Sequence, residues 1–314
     1  MWRVTGIAIV TFALTSVSMR SQGLGVPEGL DLSGSWVARN FTDALGNPPA
    51  MEPTPVDFLG IPLSEAGRAA ALSTSPSQIS MPERMCDFYP PTYIVLGPAG
   101  LKIWPESELR TGATTAWIVS GWTAYAPFPI FMDGRPHPSK YAPHPKTGFT
   151  TGTWVDDVLT TSTTHMEVGI LRRNLAPSSD LATMTTRFSR HGDILTVTAR
   201  IDDPVNLTEP FYLTRTFVLG KTPLNPASWP CTIGDEGVPK GVVPHYLPGK
   251  NPFVDEVTRL YGIPVEAVLG GSETMYPEFR RKIREKYVRP EPCVAKSGTR
   301  AGECGRPGLY PPVN

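Results

Sequence analysis

The sequence predicts a mainly β protein: an antiparallel barrel followed by a C-terminal extension of loop and short helices. Three observations carry that expectation. Between residues 30 and 220, about ten short runs rich in alternating and β-branched residues are separated by turn-forming residues. No β-α-β rhythm interrupts them, which points to antiparallel strands in a sheet closed or folded on itself. Proline supplies 35 of the 314 residues, against a usual share of about 5%. Lacking a backbone donor, proline disfavours helix interiors and suits short strands joined by rigid loops.

Taken in order, the chain opens M-W-R-V-T-G-I-A-I-V-T-F-A-L-T-S-V-S. One early arginine, an apolar run from Gly6 to Leu14 and small residues at Ser16 and Ser18 are the order of a secretory signal. Residues 1–18 are therefore expected to be removed, leaving a secreted or periplasmic protein. The run is shorter than the roughly 20 residues a membrane span requires, and no later stretch is apolar enough to span. A single barrel domain is expected over 19–220, with the extension over 221–314 packed on it.

D-L-S-G-S-W-V-A-R reads as the first strand, containing Trp36. Residues 47–91 read as irregular, except for a short helix over Leu63–Leu72 with Ser64 as N-cap. Strands are then expected over Tyr93–Leu96, Leu101–Trp104, Thr114–Ser120, Phe128–Met132, Phe149–Val155, Val158–Glu167, Ala182–Arg190, Asp193–Ile201 and Pro210–Leu219. Their connections are turn signals: G-P-A-G, M-D-G-R, Asp156-Asp157 and H-G-D. Beyond residue 222 a proline-rich loop precedes two helical candidates. Phe253–Tyr261 places Phe253, Val257 and Leu260 on one face, and Pro277–Tyr287 carries R-R-K-I-R-E-K, read as a solvated basic face.

Charge is balanced, with 29 basic and 29 acidic residues, so no nucleic-acid footprint is expected. Four cysteines, Cys86, Cys231, Cys293 and Cys304, imply two disulfides in an exported protein, with three connectivities open. Pairing Cys86 with Cys231 and Cys293 with Cys304 is preferred, the first closing the barrel region and the second tying the tail. No C-x-x-C spacing supports zinc. Nucleophile elbow, P-loop, dinucleotide fingerprint and zinc-protease helix are all missing from the sequence, and no cofactor is expected.

Strand parity singles out one face of the 158–167 run. Leu159, Thr161, Thr163, His165 and Glu167 would share it, a semi-polar pattern that suits a lumen wall. An exposed hairpin, its threonines acting only as good strand formers, is the plain alternative. His165 with Glu167 or Asp133 would make an acid–base pair. His137, His144 and His165 would supply three imidazoles, but their spacing in a proline-rich loop is no ligand signature and no metal is expected. Asp156, Asp157, Asp193 and Asp202-Asp203-Pro204 read as turn and strand-end residues. Asn40 and Asn206 head N-x-T sequons.

Gly34-Ser35-Trp36 is similar to the start of lipocalin-type barrels, in which a tryptophan plugs one end. Further strings extend the likeness. They are D-G-R-P-H-P, G-T-W-V-D-D-V-L, T-H-M-E-V-G-I-L-R-R-N, S-R-H-G-D-I-L-T-V, D-D-P-V-N-L-T-E-P-F, V-P-H-Y-L-P-G-K-N-P-F and G-G-S-E-T-M-Y-P-E-F-R, together with the segment around Cys86. On these the chain resembles a group of uncharacterised bacterial secreted proteins with lipocalin-like β-barrels, over roughly residues 30–285. That group usually has glycine where this chain has Asp156. The resemblance implies a calycin-like barrel and export, and transfers no catalytic residue.

The expected function is binding of a small, partly apolar molecule in the barrel lumen. Trp104, Trp117, Trp122, Tyr125 and Trp154 would form walls, with Arg135 and His137 as polar contacts. An exported enzyme using His165, Glu167 and Asp133 in the same lumen is the first alternative. A structural or interaction protein with a filled barrel is the second.

Overall fold

The computed structural model describes residues 31–39, 55–58, 60–75, 89–96, 100–121, 127–172, 174–221, 245–255, 258 and 262–287. The signal segment, all four cysteines, Asn40, Trp122, Tyr125 and most of the expected 253–261 helix lie outside the described residues.

In chain order the elements are β1 (Gly34–Ala38), α1 (Glu65–Ser73), α2 (Pro91–Leu96), β2 (Leu101–Ser107), β3 (Thr114–Gly121) and β4 (Phe128–Phe131). Then come β5 (Phe149–Val155), β6 (Val158–Thr164), β7 (Gly169–Ile170), β8 (Pro177–Ser178), β9 (Thr183–His191), β10 (Ile194–Asp202) and β11 (Phe211–Leu219). The extension adds α3 (Val265–Val268), a 3-10 turn (Ser272–Met275) and α4 (Pro277–Arg284).

Nine of the strands close a barrel in the order β1-β11-β10-β9-β6-β5-β4-β3-β2, and β7 and β8 form a separate ribbon. The mainly β barrel with a short-helix extension is thus what the chain forms. An odd ring cannot alternate direction all the way round, so at least one neighbouring pair must be parallel. That pair is β4–β5, registered Ile130↔Thr150 and Phe131↔Thr151. A parallel pair needs a long return connection rather than a hairpin. Residues 132–148 supply it, and we call this segment the strap.

Alternation along the strands builds the interior. On β10, Leu195, Val197, Ala199 and Ile201 are all fully buried, and on β9 Met184 and Phe188 join them. These merge with Trp36, Leu101, Ile103, Trp117, Val119, Ile130, Leu159 and Phe217 into one apolar core. Trp36 closes one end: its indole N–H donates to the Leu32 carbonyl at 2.9 Å. The Arg190 guanidinium lies over the ring, 5.3 Å from its centroid, and also holds the Asp31 carbonyl. Gly34 is required beside it, since φ is +148° and a Cβ would sit 2.5 Å from Leu219 Cδ1.

One expected strand is a helix. Tyr93–Leu96 lies within α2, which starts at Pro91 with the Tyr93 N–H on the Pro90 carbonyl at 3.0 Å. Proline at the first helical position is favourable there because that N–H has no intrahelical partner. Tyr89, just before the helix, meets Tyr93 with ring centroids 4.4 Å apart and planes tilted by 51°. Helix α2 contacts β3 on one side of the ring and β10 and β11 on the other. Val37, facing outward on the intervening β1, is 48% exposed, so α2 crosses the barrel interior. Thr92, Tyr93 and Val95 are buried there.

The turns match their residues. Asp156 takes φ +55° as the first loop residue between the paired Val155 and Val158. Gly192 does the same at +58° between His191 and Ile194. Helix α1 is capped as expected, with the Ser64 hydroxyl accepting from Gly67 N–H at 3.0 Å. The same hydroxyl donates to the Val205 carbonyl at 2.8 Å.

Asp203 is the knot beneath that helix. Its carboxylate accepts from Ser179 N–H and O–H (both 2.7 Å), from Val205 N–H (3.0 Å), and from the Asn206 backbone and side chain (3.1 and 3.0 Å). Burial pushes its pKa up, but the bonds from Ser179 and Asn206 outweigh that and hold it below the ordinary aspartate value. Asn206, in a sequon, is buried with its amide on Asp203, which leaves no access for glycosylation of the folded chain. The extension joins the 55–75 segment through Phe58 N–H on the Val268 carbonyl, Tyr246 N–H on the Ser73 carbonyl, and Asn251 on the Leu72 carbonyl.

Candidate functional site

The 158–167 run does not stay a strand to its end. Strand β6 stops at Thr164, and His165 takes φ +56°. A left-handed residue turns the chain over, so alternation is broken there. Leu159, Thr161 and Thr163 face the interior as expected, but the next buried side chain is Met166, not His165 or Glu167. The predicted shared face of His165 and Glu167 with the lumen is therefore overturned. Both lie on the outer wall, against the strap.

The strap is seated by its histidines. His137 bonds Thr164 Oγ1 through Nδ1 at 2.7 Å and Thr151 Oγ1 through Nε2 at 2.9 Å, both threonines being outward on their strands. His165 bonds the same Thr164 Oγ1 through Nδ1 at 2.7 Å and the Ser139 carbonyl through Nε2 at 2.9 Å. The tautomers follow from this network. A carbonyl only accepts, so His165 carries its proton on Nε2 and accepts from the Thr164 hydroxyl at Nδ1. Thr164 has then used its one proton and accepts from His137 Nδ1–H. His137 Nε2 in turn accepts from the Thr151 hydroxyl. Beside this chain, His144 Nδ1–H donates to the Met166 carbonyl at 3.1 Å, its ring 5.0 Å from that of His165.

The two carboxylates are engaged elsewhere. Asp133 accepts from Arg135 Nε at 2.8 and 3.0 Å, and the Arg135 side chain pulls its pKa down to about 2. Glu167 faces Lys146 Nζ at 3.5 Å. Among the described residues neither is bonded to His165. No three histidine, aspartate or glutamate side chains among them are placed to hold a metal ion.

The proposed lumen walls separate as well. Trp104 pairs with Ile118, while Trp117 pairs with Pro105 and Ile130. Directly paired residues share a face, so the two tryptophans point to opposite sides. Trp117 is in the core, Trp154 packs at its margin, and Trp104 lies outside under Lys102, whose Nζ is 5.6 Å from the ring. Arg135 and His137 are on the strap, with Arg135 3.9 Å over the Phe131 ring.

A concave site that sequence reasoning missed lies elsewhere. A cleft of about 520 Å3 opens between the start of β11, the loop before α1 and the extension. Phe211, Tyr212, Leu213, Met275 and Tyr276 give it apolar and aromatic walls, and Ile61 and Pro62 its floor. Arg172, Arg280, Glu209 and Ser272 bring polar groups to it. Gly60 sets the geometry: at φ +72° a Cβ would lie 2.9 Å from Met275 Sδ, so glycine lets the 3-10 turn close in. Tyr212, Met275 and Tyr276 are each more than half exposed. Three of the strings that carry the resemblance, containing Arg172, Glu209–Phe211 and Ser272–Arg280, converge here.

No family model, curated protein or solved structure matches the chain. The barrel stands on its own strand order, and the lipocalin-like likeness rests on the strings quoted above. Among the described residues no helix is long and apolar enough to cross a membrane.

Proposed function

We propose that this is an exported, lipocalin-like binding protein for a small, partly apolar molecule, and that the ligand occupies the cleft beside β11 rather than the barrel lumen. The cleft carries the reading. Its volume of about 520 Å3 falls within the range of roughly 300–1,000 Å3 of small-molecule sites, which combine mostly apolar walls with a few polar groups. Exposed Tyr212, Met275 and Tyr276 are costly to leave in water and supply stacking and dispersion surface to a ligand. Arg280, Glu209 and Ser272 add the few polar groups. The interior is the poorer place, because α2 and the core side chains occupy it. Export rests on the leader-like N-terminus and on the resemblance.

Native mass spectrometry of protein purified from its own host tests the proposal. A retained small molecule is expected, lost when Tyr212 and Tyr276 are both replaced by alanine. An adduct that survives the double substitution, or none in the wild type, contradicts it.

A further inference from the structure

A second hollow adjoins the cleft and shares a residue with it. It measures about 280 Å3, has Ala267, Phe279, Ile283 and Tyr287 as apolar walls, and carries Arg280 and Arg284 in its lining. Arg280 also lines the cleft, so one guanidinium borders both. Alone, the hollow is smaller than the roughly 300–1,000 Å3 of small-molecule sites, which makes it an annexe of the cleft rather than a site of its own. We propose, resting on the cleft as the binding site, that Arg280 with Arg284 anchors an oxyanion. The ligand is then a small ring-bearing carboxylate or phosphate whose apolar body lies in the cleft.

The charges single out this place. Arg280 and Arg284 are four apart on α4, so their side chains are neighbours on one face, where like charges repel mildly. An oxyanion that accepts from both replaces that repulsion with charge-assisted hydrogen bonds, for which the planar guanidinium is well shaped. Two other cations of the same segment are already engaged: Arg281 faces Glu278 at 3.1 Å and Lys286 faces Glu266 at 2.5 Å. Among the described residues Arg280 and Arg284 have no such partner. No acidic side chain lines the smaller hollow, whereas Glu209 lines the cleft alone. The shared wall is thus where an anion meets two cations with no carboxylate on the annexe side.

The surroundings suit an amphiphilic ligand. Phe279 and Ile283 are half-buried beside the two arginines, and a charged hydrogen bond strengthens as apolar walls exclude water. On the cleft side, Tyr212, Met275 and Tyr276 offer ring and thioether surface to an aromatic body.

Three probes that differ in one group test this on the full chain by calorimetric titration: naphthoate, naphthyl phosphate and the neutral naphthamide. At least one oxyanion is expected to bind about tenfold more tightly than the amide, the low end for hydrogen bonds to charged groups, and the tighter one names the head group. Arg280→Gln should bring it down to the affinity of the amide. Lys282→Gln removes the same charge from a side chain that lines neither hollow, and should leave the preference intact. Amide binding as tight as that of both oxyanions overturns the anchor and leaves the cleft standing; binding of none of the three overturns both. Equal loss of preference in the two variants also overturns the anchor, because preference would then follow net charge rather than place. The wild-type comparison decides even where Arg280→Gln does not fold.

Discussion

The barrel interior and the strap across its outer wall are held by different physics. Inside, stability comes from close-packed apolar side chains contributed by every strand, and from α2 threaded through them. Outside, the strap rests on hydroxyls, imidazoles and a few ion pairs at partly wetted sites. Apolar burial is non-directional, whereas a chain of hydrogen bonds through two histidines is directional. The same nine-stranded wall therefore presents a face held by packing inward and a face held by hydrogen bonds outward.

That contrast breaks most severely from within. Phe217→Ala, at a fully buried site, should cost about 3–5 kcal/mol, the usual cost of emptying a large aromatic site; denaturant unfolding of the whole barrel reads it. Next comes Asp203→Ala, which strands several buried donors at once and should cost about 3 kcal/mol. Because the Asp203 pKa is lowered on folding, its contribution is complete above the ordinary aspartate value and disappears as pH falls through the lowered one. Acid unfolding of the wild type should therefore be steeper than that of Asp203→Asn.

Thr164→Val removes the hydroxyl shared by His137 and His165. It should cost about 1 kcal/mol in global stability yet abolish strap protection in hydrogen exchange, separating the two regions. Smallest is Asp156→Gly. With φ at +55°, glycine removes a left-handed strain and should stabilise the β5–β6 hairpin by about 0.5–1 kcal/mol, seen as a small rise in melting temperature.

The same division marks what could be read from the sequence. Alternation placed all nine barrel strands within three residues of their ends, because inward apolar and outward polar positions leave a period of two. It failed at Tyr93, where a run of four apolar residues admits a strand or a helix and only the prolines at 90 and 91 favoured the latter. It failed again at His165, because a single left-handed residue leaves no mark on periodicity yet moves two candidate side chains from the lumen to the outer wall. The cleft was hidden for another reason. Arg172, Tyr212 and Tyr276 are brought together by long-range packing of the extension, and no local pattern encodes that meeting.

The proposal that ligand binds outside the barrel is tested most directly with anilinonaphthalene sulfonate, an aromatic anion. Its fluorescence should rise on titration into the native wild type and fall away with Tyr212→Ala and Tyr276→Ala, while Trp154→Ala at the interior margin leaves it unchanged. Loss of binding in Trp154→Ala, with both cleft substitutions silent, would contradict the account and return the ligand to the lumen.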